Sequence, residues 1–519
     1  MKTRLLIGID VGTSGTKTAL YDESGKRLAV HTAEYPLYQP QNGWAEQEPE
    51  DWWQATVQGI QAVLSESCCD PSDVVGIGLS GQMHGLVMLD EHGQVLRRSI
   101  IWCDGRTSEE CEEITRLVGA DRLMSITKSP ALTGFTASKI LWVRKHEPEI
   151  YEKCRHILLP KDYIRYRLTG VFATDVSDAS GMQLLDIEAR DWSDEVLSAL
   201  DIDRSLLADV YESCEVTGTI SPEVSTRTGL STDAVVVGGA GDNAAAAVGC
   251  GAVRDGYGFT TIGTSGVVFS HCKDLRVDPA GRIHSFCAAV PGEYHVMGVT
   301  LAAGLSLRWF RDQFCAVEQA EANERNIDVY ARMDQIASGL PIGANRLLYI
   351  PYLMGERTPH LDPFARGAFL GLSASHTRAH CLRAVMEGVI YSLRDCLSLF
   401  ASAGVTPPSL MMACGGGAVS PLWRQMLADV LGCSVATAAS NDGGALGAAL
   451  LAGVGAGIWA TVPEACDAVI RVRTQQAPIE KNSAEYEPYY QLYRSVYAAL
   501  RPVYHTLATL KTSSLEDPS

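Results

Sequence analysis

Short apolar runs alternate along this chain with glycine-rich breaks and with longer segments of helical period. Residues 5–11, Leu-Leu-Ile-Gly-Ile-Asp-Val, form a nearly continuous apolar run that stops at Gly12-Thr13-Ser14-Gly15, and residues 17–21 return to β-prone types. The first forty residues therefore predict three short strands with turns at 12–15 and 22–25. Trp53, Val57, Ile60 and Leu64 recur at three- and four-residue spacing, which predicts a helix over 50–68. Residues 74–80 read as a buried strand running into Gly81-Gln82-Met83-His84-Gly85. Helices follow at 138–146 and 163–168. A Val-rich strand over 234–238 leads into Gly239-Ala240-Gly241-Asp242-Asn243 and an Ala-rich helix over 244–248.

The second half repeats this grammar. Residues 257–262 and 267–269 flank a second Gly-Thr-Ser-Gly, at Gly263–Gly266, and predict a second hairpin. Helices near 302–314 and 380–400 come next. A strand over 410–413 then runs into Gly415-Gly416-Gly417, followed by helices over 421–431 and 444–451. Strands alternating with helices predict an α/β chain whose sheets are covered on both faces. Tyrosines at 486, 490, 493, 497 and 504 sit at helical spacing, a pattern of packing or subunit contact.

At 519 residues the chain exceeds one core. A boundary near residue 250 gives domains over 1–250 and 251–505, with a polar tail over 506–519. The net charge of −18 argues against nucleic acid or an anionic membrane as partner. An acidic chain that binds a triphosphate needs a divalent cation and backbone N–H groups to do so. Fifteen scattered cysteines without a CxxC read as buried thiols in a reducing, cytoplasmic setting. No signal peptide opens the chain. The uncharged stretch 444–462 is rich in Gly and Ala, which predicts a tightly packed buried helix rather than a membrane span.

Glycines flanking hydroxyl residues make turns whose N–H groups and Oγ atoms can face one anion, although ordinary hairpins use the same residues. Asp10 beside the first turn suits Mg²⁺, or else starts the turn; Lys17 beyond it can reach a phosphate, or lie solvated. Asp242 follows a buried strand and precedes a helix. It is placed for a helix cap or for a general base toward a substrate hydroxyl. Gln82 and His84 offer the donors and acceptors a polyol needs. The triple glycine lets a flat base or ribose approach the backbone, or merely turns strand into helix.

In this order the pieces resemble the FGGY family of carbohydrate kinases from about residue 4 to about residue 500. Gly134-Phe135-Thr136-Ala137-Ser138-Lys139 through His146 fits the family's first signature. Residues 367–372 through His380 to Glu387 fit the second, with a departure at Cys381, where the family has an aliphatic residue or Phe. Ser80–Gly85, Trp102-Cys103-Asp104-Gly105-Arg106, residues 159–163 and Gly355-Glu356-Arg357-Thr358-Pro359-His360 are similar to the members that phosphorylate D-xylulose. The resemblance implies two actin-like (RNase H-like) domains flanking a deep cleft for ATP and sugar. It implies ATP and Mg²⁺ as cofactors and phosphoryl transfer to O5 of D-xylulose.

By that resemblance Asp242 is the catalytic base, and Met83, His84, Asp242 and Asn243 meet the sugar, with Asp104 a further contact. Asp10 helps hold Mg²⁺. Thr13, Ser14 and Thr264, with Lys17, line the phosphates, and Gly415 and Gly416 meet the nucleoside. A homodimer is compatible with the sequence. The rivals are a kinase for ribulose, gluconate, glycerol or another polyol, an actin- or chaperone-like ATPase, and a silent sugar-binding regulator. Intact Asp10, Asp242 and both glycine turns speak against the last.

Overall fold

A computed structural model describes residues 4–440 and 442–510. The chain divides into two compact units. Unit 1 comprises Met1–Tyr257, Ser270–Val296 and Ala438–Arg471, and unit 2 comprises Gly258–Phe269, Met297–Thr437 and Val472–Ser519. The division is discontinuous, whereas the sequence suggests a single boundary near residue 250.

Unit 1 is built on a seven-stranded mixed sheet. Leu5–Val11 pairs antiparallel with Gly15–Asp22, which pairs antiparallel with Arg27–Glu34. On its other side Leu5–Val11 pairs in parallel with Val74–Gly81, placing Asp10 opposite Ser80. Ala240–Gly241 pairs in parallel with the end of Val74–Gly81. These pairings bring Asp10, the first glycine turn, Gln82 and Asp242 to one end of the sheet, although Asp10 and Asp242 are 232 residues apart in sequence. Parallel central strands of an α/β sheet place ligands at their C-terminal ends.

Glycine and alanine decide how this sheet is covered. Gly443–Gly455 is a helix buried along Ala445–Gly453, as the Ala/Gly-rich stretch predicts. A Cβ on Gly447 would fall 1.8 Å from the Ala245 carbonyl oxygen, and one on Gly8 would fall 1.8 Å from that of Ala445. This helix therefore packs backbone to backbone against the sheet and against the helix Asp242–Cys250. No side chain fits at these contacts, so glycine and alanine occupy the positions where the backbones meet. Among the described residues no helix is long and apolar enough to cross a membrane.

The hairpin Tyr257–Ile262 and Gly266–Cys272, whose residues 258–269 fall in unit 2, belongs to a second seven-stranded sheet together with Tyr294–Thr300 and Leu410–Cys414. The predicted helices are present as Gly304–Phe314, Arg378–Ser402 and Pro421–Leu431. Glu480–Thr509 is one helix, and Tyr486, Tyr490, Tyr493 and Tyr504 are buried on it. Tyr490 donates to Asp395 at 2.8 Å, and the Tyr486 hydroxyl accepts from Arg383 at 2.7 Å. The tyrosine stripe is internal packing. Of the polar tail, 506–509 end this helix and 511–519 lie outside the described residues.

Candidate active site

Asp10 is the next-to-last residue of its strand, and its Oδ1 accepts from the Ser80 hydroxyl at 2.8 Å. Burial raises its pKa, opposed by the Ser80 bond and by the charge of Lys17. Lys17 itself donates to Asp442 at 2.7 Å, and Arg27 reaches the same carboxylate at 2.6 Å. The predicted phosphate contact of Lys17 thus meets a competing partner, and its ammonium serves as a fixed positive charge near Asp10. Gly444, the second residue of the buried helix, lies against the Asp10 carboxylate: a Cβ there would lie 2.9 Å from both Asp10 Oδ2 and Ser80 Oγ.

The first glycine turn is closed by Gly12 N–H donating to the Gly15 carbonyl at 3.1 Å. Buried amides hold it from behind. Gln47 donates to the Thr13 carbonyl at 2.7 Å and accepts from Gln82 at 2.7 Å, and Trp52 donates to Gln47 at 3.3 Å. The Thr13 hydroxyl accepts from the Trp102 indole at 2.9 Å. Ser14 is exposed at the tip. A turn with its carbonyls fixed from inside presents its remaining groups outward, as an anion-binding turn requires.

Asp242 is the first residue of its helix, with Gly241 in the cap position. Its Oδ1 accepts from the Asn243 backbone N–H at 2.7 Å and from Asn243 Nδ2 at 2.8 Å. Burial, then the charge of Asp10, push its pKa up to about 7, against these two hydrogen bonds. That value gives a group able to accept and return a proton near neutrality. A cap residue alone needs neither the burial nor a second carboxylate beside it.

Met83 and His84 leave the strand Val74–Gly81 beside Asp242. A Cβ on Gly241 would meet Met83 Sδ at 2.9 Å. His84 has a left-handed φ of 70°, shares a hydrogen bond with the Gly181 carbonyl through Nδ1 at 2.8 Å, and stacks on Phe135 at 4.4 Å. The buried Lys139, from the first signature, donates to the His84 carbonyl at 2.8 Å and so holds this turn. Burial pushes the Lys139 pKa down to about 7, against the charge of Asp104. Asp104, the further sugar contact that the resemblance implies, already has protein partners. Its side chain is fully buried, and Arg106 and the Ala45 N–H, at 2.6 Å, occupy both oxygens.

In unit 2 the second turn is fastened to the next helix. Gly304 N–H donates to the Gly263 carbonyl at 2.7 Å, and the N–H groups of Ala303 and Leu305 both reach the Thr264 carbonyl at 3.1 Å. A cavity of about 460 Å³ opens beside it, lined by Thr264, Arg308, Tyr330, Asp334, Gly416 and Trp423 among others. Gly415 has φ 77°, a conformation costly for other residues, and space is open above Gly416, where an added Cβ would meet nothing within 4 Å. Arg308, Tyr330 and Asp334 were not legible as site residues; they come from two helices with no motif. Ser80 enters the sequence reading only as the start of a motif, and Gln47 and Gly444 carry no site signal, although Asp442-Gly443-Gly444 has the composition of a turn.

The N-terminal domain model of the FGGY family of carbohydrate kinases matches residues 5–249, and its C-terminal domain model matches 258–456. The chain is a member of the FGGY family of carbohydrate kinases. It is 41% identical to the xylulose kinase of Bacillus subtilis over 494 residues, 95% of this chain and 97% of that one. Among solved structures, a xyloylose kinase from Brucella ovis superposes with a TM-score of 0.89 at 34% identity, covering 96% of this chain and all of the other. A gluconate kinase from Lactobacillus acidophilus superposes with a TM-score of 0.90 at 27% identity, covering 97% and 100%. The fold is thus shared by kinases named for different sugars.

Proposed function

We propose that this FGGY kinase transfers the γ-phosphoryl group of ATP to O5 of D-xylulose, giving D-xylulose 5-phosphate and ADP. The observation that carries the mechanism is Asp242, a half-buried carboxylate whose pKa desolvation and Asp10 push up to about 7, next to the Gly241 that packs on Met83. Asp242 orients the sugar hydroxyl and accepts its proton as the oxygen attacks phosphorus. The two hydrogen bonds from Asn243 fix one carboxylate oxygen and leave the other for the substrate. His84 is held by Gly181 through Nδ1 and by its stack on Phe135, which fixes the ring assigned to the sugar. The support for xylulose as the sugar is the 41% identity to a curated xylulose kinase over nearly the whole chain.

Thr13 and Ser14 on one turn and Thr264 on the other are assigned to the phosphates, and Gly415 and Gly416 with the cavity beside them to the nucleoside. Asp10 is assigned to Mg²⁺. The residues fit that ion. The charge of Asp10 raises the proton affinity of Asp242, and among the described residues no group of three or more His, Cys, Asp or Glu makes an all-protein cage. Mg²⁺ needs one or two carboxylates and fills its remaining positions with water and phosphate. When bound it offsets charge on the phosphoryl oxygens. Asp104 is left out of the sugar contacts, because Arg106 and Ala45 occupy it. Fifteen free thiols support a reducing, cytoplasmic setting.

The test is ADP release from Mg·ATP across D-xylulose, D-ribulose, D-gluconate and glycerol, with the phosphorylated product identified by NMR. D-xylulose should give the highest kcat/KM, with phosphate on O5. Sugar-independent ATP hydrolysis alone would favour the ATPase reading, and a preference for gluconate would move the substrate.

A further inference from the structure

The segment that carries Asp242 is anchored from beneath by a buried ion cluster that phosphoryl transfer itself does not use. Lys161, Asp162, Arg165, Asp175 and Asp178 have no exposed surface. The Lys161 ammonium lies 2.5 Å from Asp162, 2.7 Å from Asp175 and 3.3 Å from Asp178. Burial raises the pKa of Asp178 well above the usual carboxylate range, opposed by the charge of Lys161. Charges this deep are costly unless each has its partner, so the cluster holds one geometry.

The cluster reaches the active site by short links. Arg165 donates to the Gly238 carbonyl. Asp175 Oδ2 accepts from the hydroxyls of Ser177 at 2.6 Å and Ser213 at 3.0 Å. Ser177 Oγ then accepts from the Gly241 N–H at 3.1 Å, one residue before Asp242. Four residues beyond Ser177, the Gly181 carbonyl shares its hydrogen bond with His84. One buried segment, 175–181, therefore touches both the peptide that places the base and the histidine assigned to the sugar.

We propose that Ser177, braced by Asp175 and the ion cluster, is a positioning residue that sets Asp242 for attack through its hydrogen bond to the Gly241 N–H. The proposal rests on Asp242 as the base. Loss of the Ser177 hydroxyl leaves the buried Gly241 N–H without its partner and lets the helix start shift, while Met83, His84 and the nucleotide residues keep their own supports. Misplacement of this kind acts on the transition state more than on substrate binding.

The experiment compares Ser177→Ala with Ser213→Ala and Asp242→Asn in steady-state kinetics with D-xylulose and Mg·ATP. Ser213→Ala is the control, because it removes an equivalent bond to the same Asp175 oxygen but has no side-chain link to Gly241. Ser177→Ala should lower kcat about tenfold, with both KM values within about twofold of wild type. Ser213→Ala should leave kcat within about twofold, and both should melt at similar temperatures. Wild-type kcat in Ser177→Ala overturns the proposal, and so does an equal loss in Ser213→Ala, which would assign the effect to cluster stability. Full turnover by Asp242→Asn would remove the base and the proposal with it. An inactive Asp242→Asn beside a fully active Ser177→Ala would remove the positioning role alone.

Discussion

Replacing Asp242 by Asn should make the protein more stable while disabling it, and the gain should depend on pH with a definite sign. Asn is nearly isosteric, and its Oδ1 can keep both hydrogen bonds from Asn243. What changes is charge. Burial and Asp10 raise the Asp242 pKa from 3.8 to about 7. An acid whose folded pKa is raised binds its proton more tightly in the native state than in the unfolded chain. Stability is therefore lost as pH rises from about 4 to about 7, and the loss stays constant above that window. At 1.36 kcal/mol per unit, a shift of about three units corresponds to about 4 kcal/mol, an upper figure because relaxation and water entry reduce it. Asn carries no such term. In scanning calorimetry at pH 5 and pH 8, the transition of Asp242→Asn should lie above that of wild type at pH 8, with a smaller gap at pH 5. A variant less stable than wild type at pH 8, or one whose advantage grows toward acid pH, would refute the argument that Asp242 is held at a cost.

Three further outcomes follow from the same geometry. Gly444→Ala places a methyl group 2.9 Å from Asp10 Oδ2 and Ser80 Oγ, ends of side chains that can rotate; melting should change little while kcat falls about tenfold, and unchanged kcat would detach Asp10 from the chemistry. His84→Ala should raise the KM for D-xylulose more than that for ATP, since Gly181 and Phe135 hold this ring in the unit that bears Asp242; a two-substrate kinetic series with equal rises would contradict the assignment. Because only deprotonated Asp242 accepts a proton, kcat/KM should fall below a pH of about 7, and a pH–rate profile flat down to pH 5 would exclude a base of that pKa.

The strand–turn–strand pattern at both Gly-Thr-Ser-Gly sites was legible because apolar period and turn chemistry agree there, and the structure places both hairpins where those signals lie. The buried helix was legible from composition alone: a Gly/Ala run without charge can pack only where backbones touch, and Gly447 against Ala245 is that contact. Asp10, His84 and Asp242 stood out because each ends or follows a buried strand. Their surroundings did not stand out. Nothing local marks Asp442 as the partner of Lys17, 425 residues away. The resemblance offers Asp104 as a sugar contact, and only the fold shows that Arg106, two residues on, turns back onto it. The Lys161-Asp162 pair read as part of a signature, but its charge balance with Asp175 and Asp178 is a tertiary property, as is the line through Ser177 to Gly241.

The central claim is that Asp242 takes the proton from the sugar hydroxyl. Its most direct test is single-turnover phosphoryl transfer by Asp242→Asn with D-xylulose and Mg·ATP, alongside ATP binding to the same variant by calorimetry. Transfer slowed by a factor of about 10² to 10⁴ with ATP affinity retained is the expected result. Transfer at the wild-type rate would contradict it.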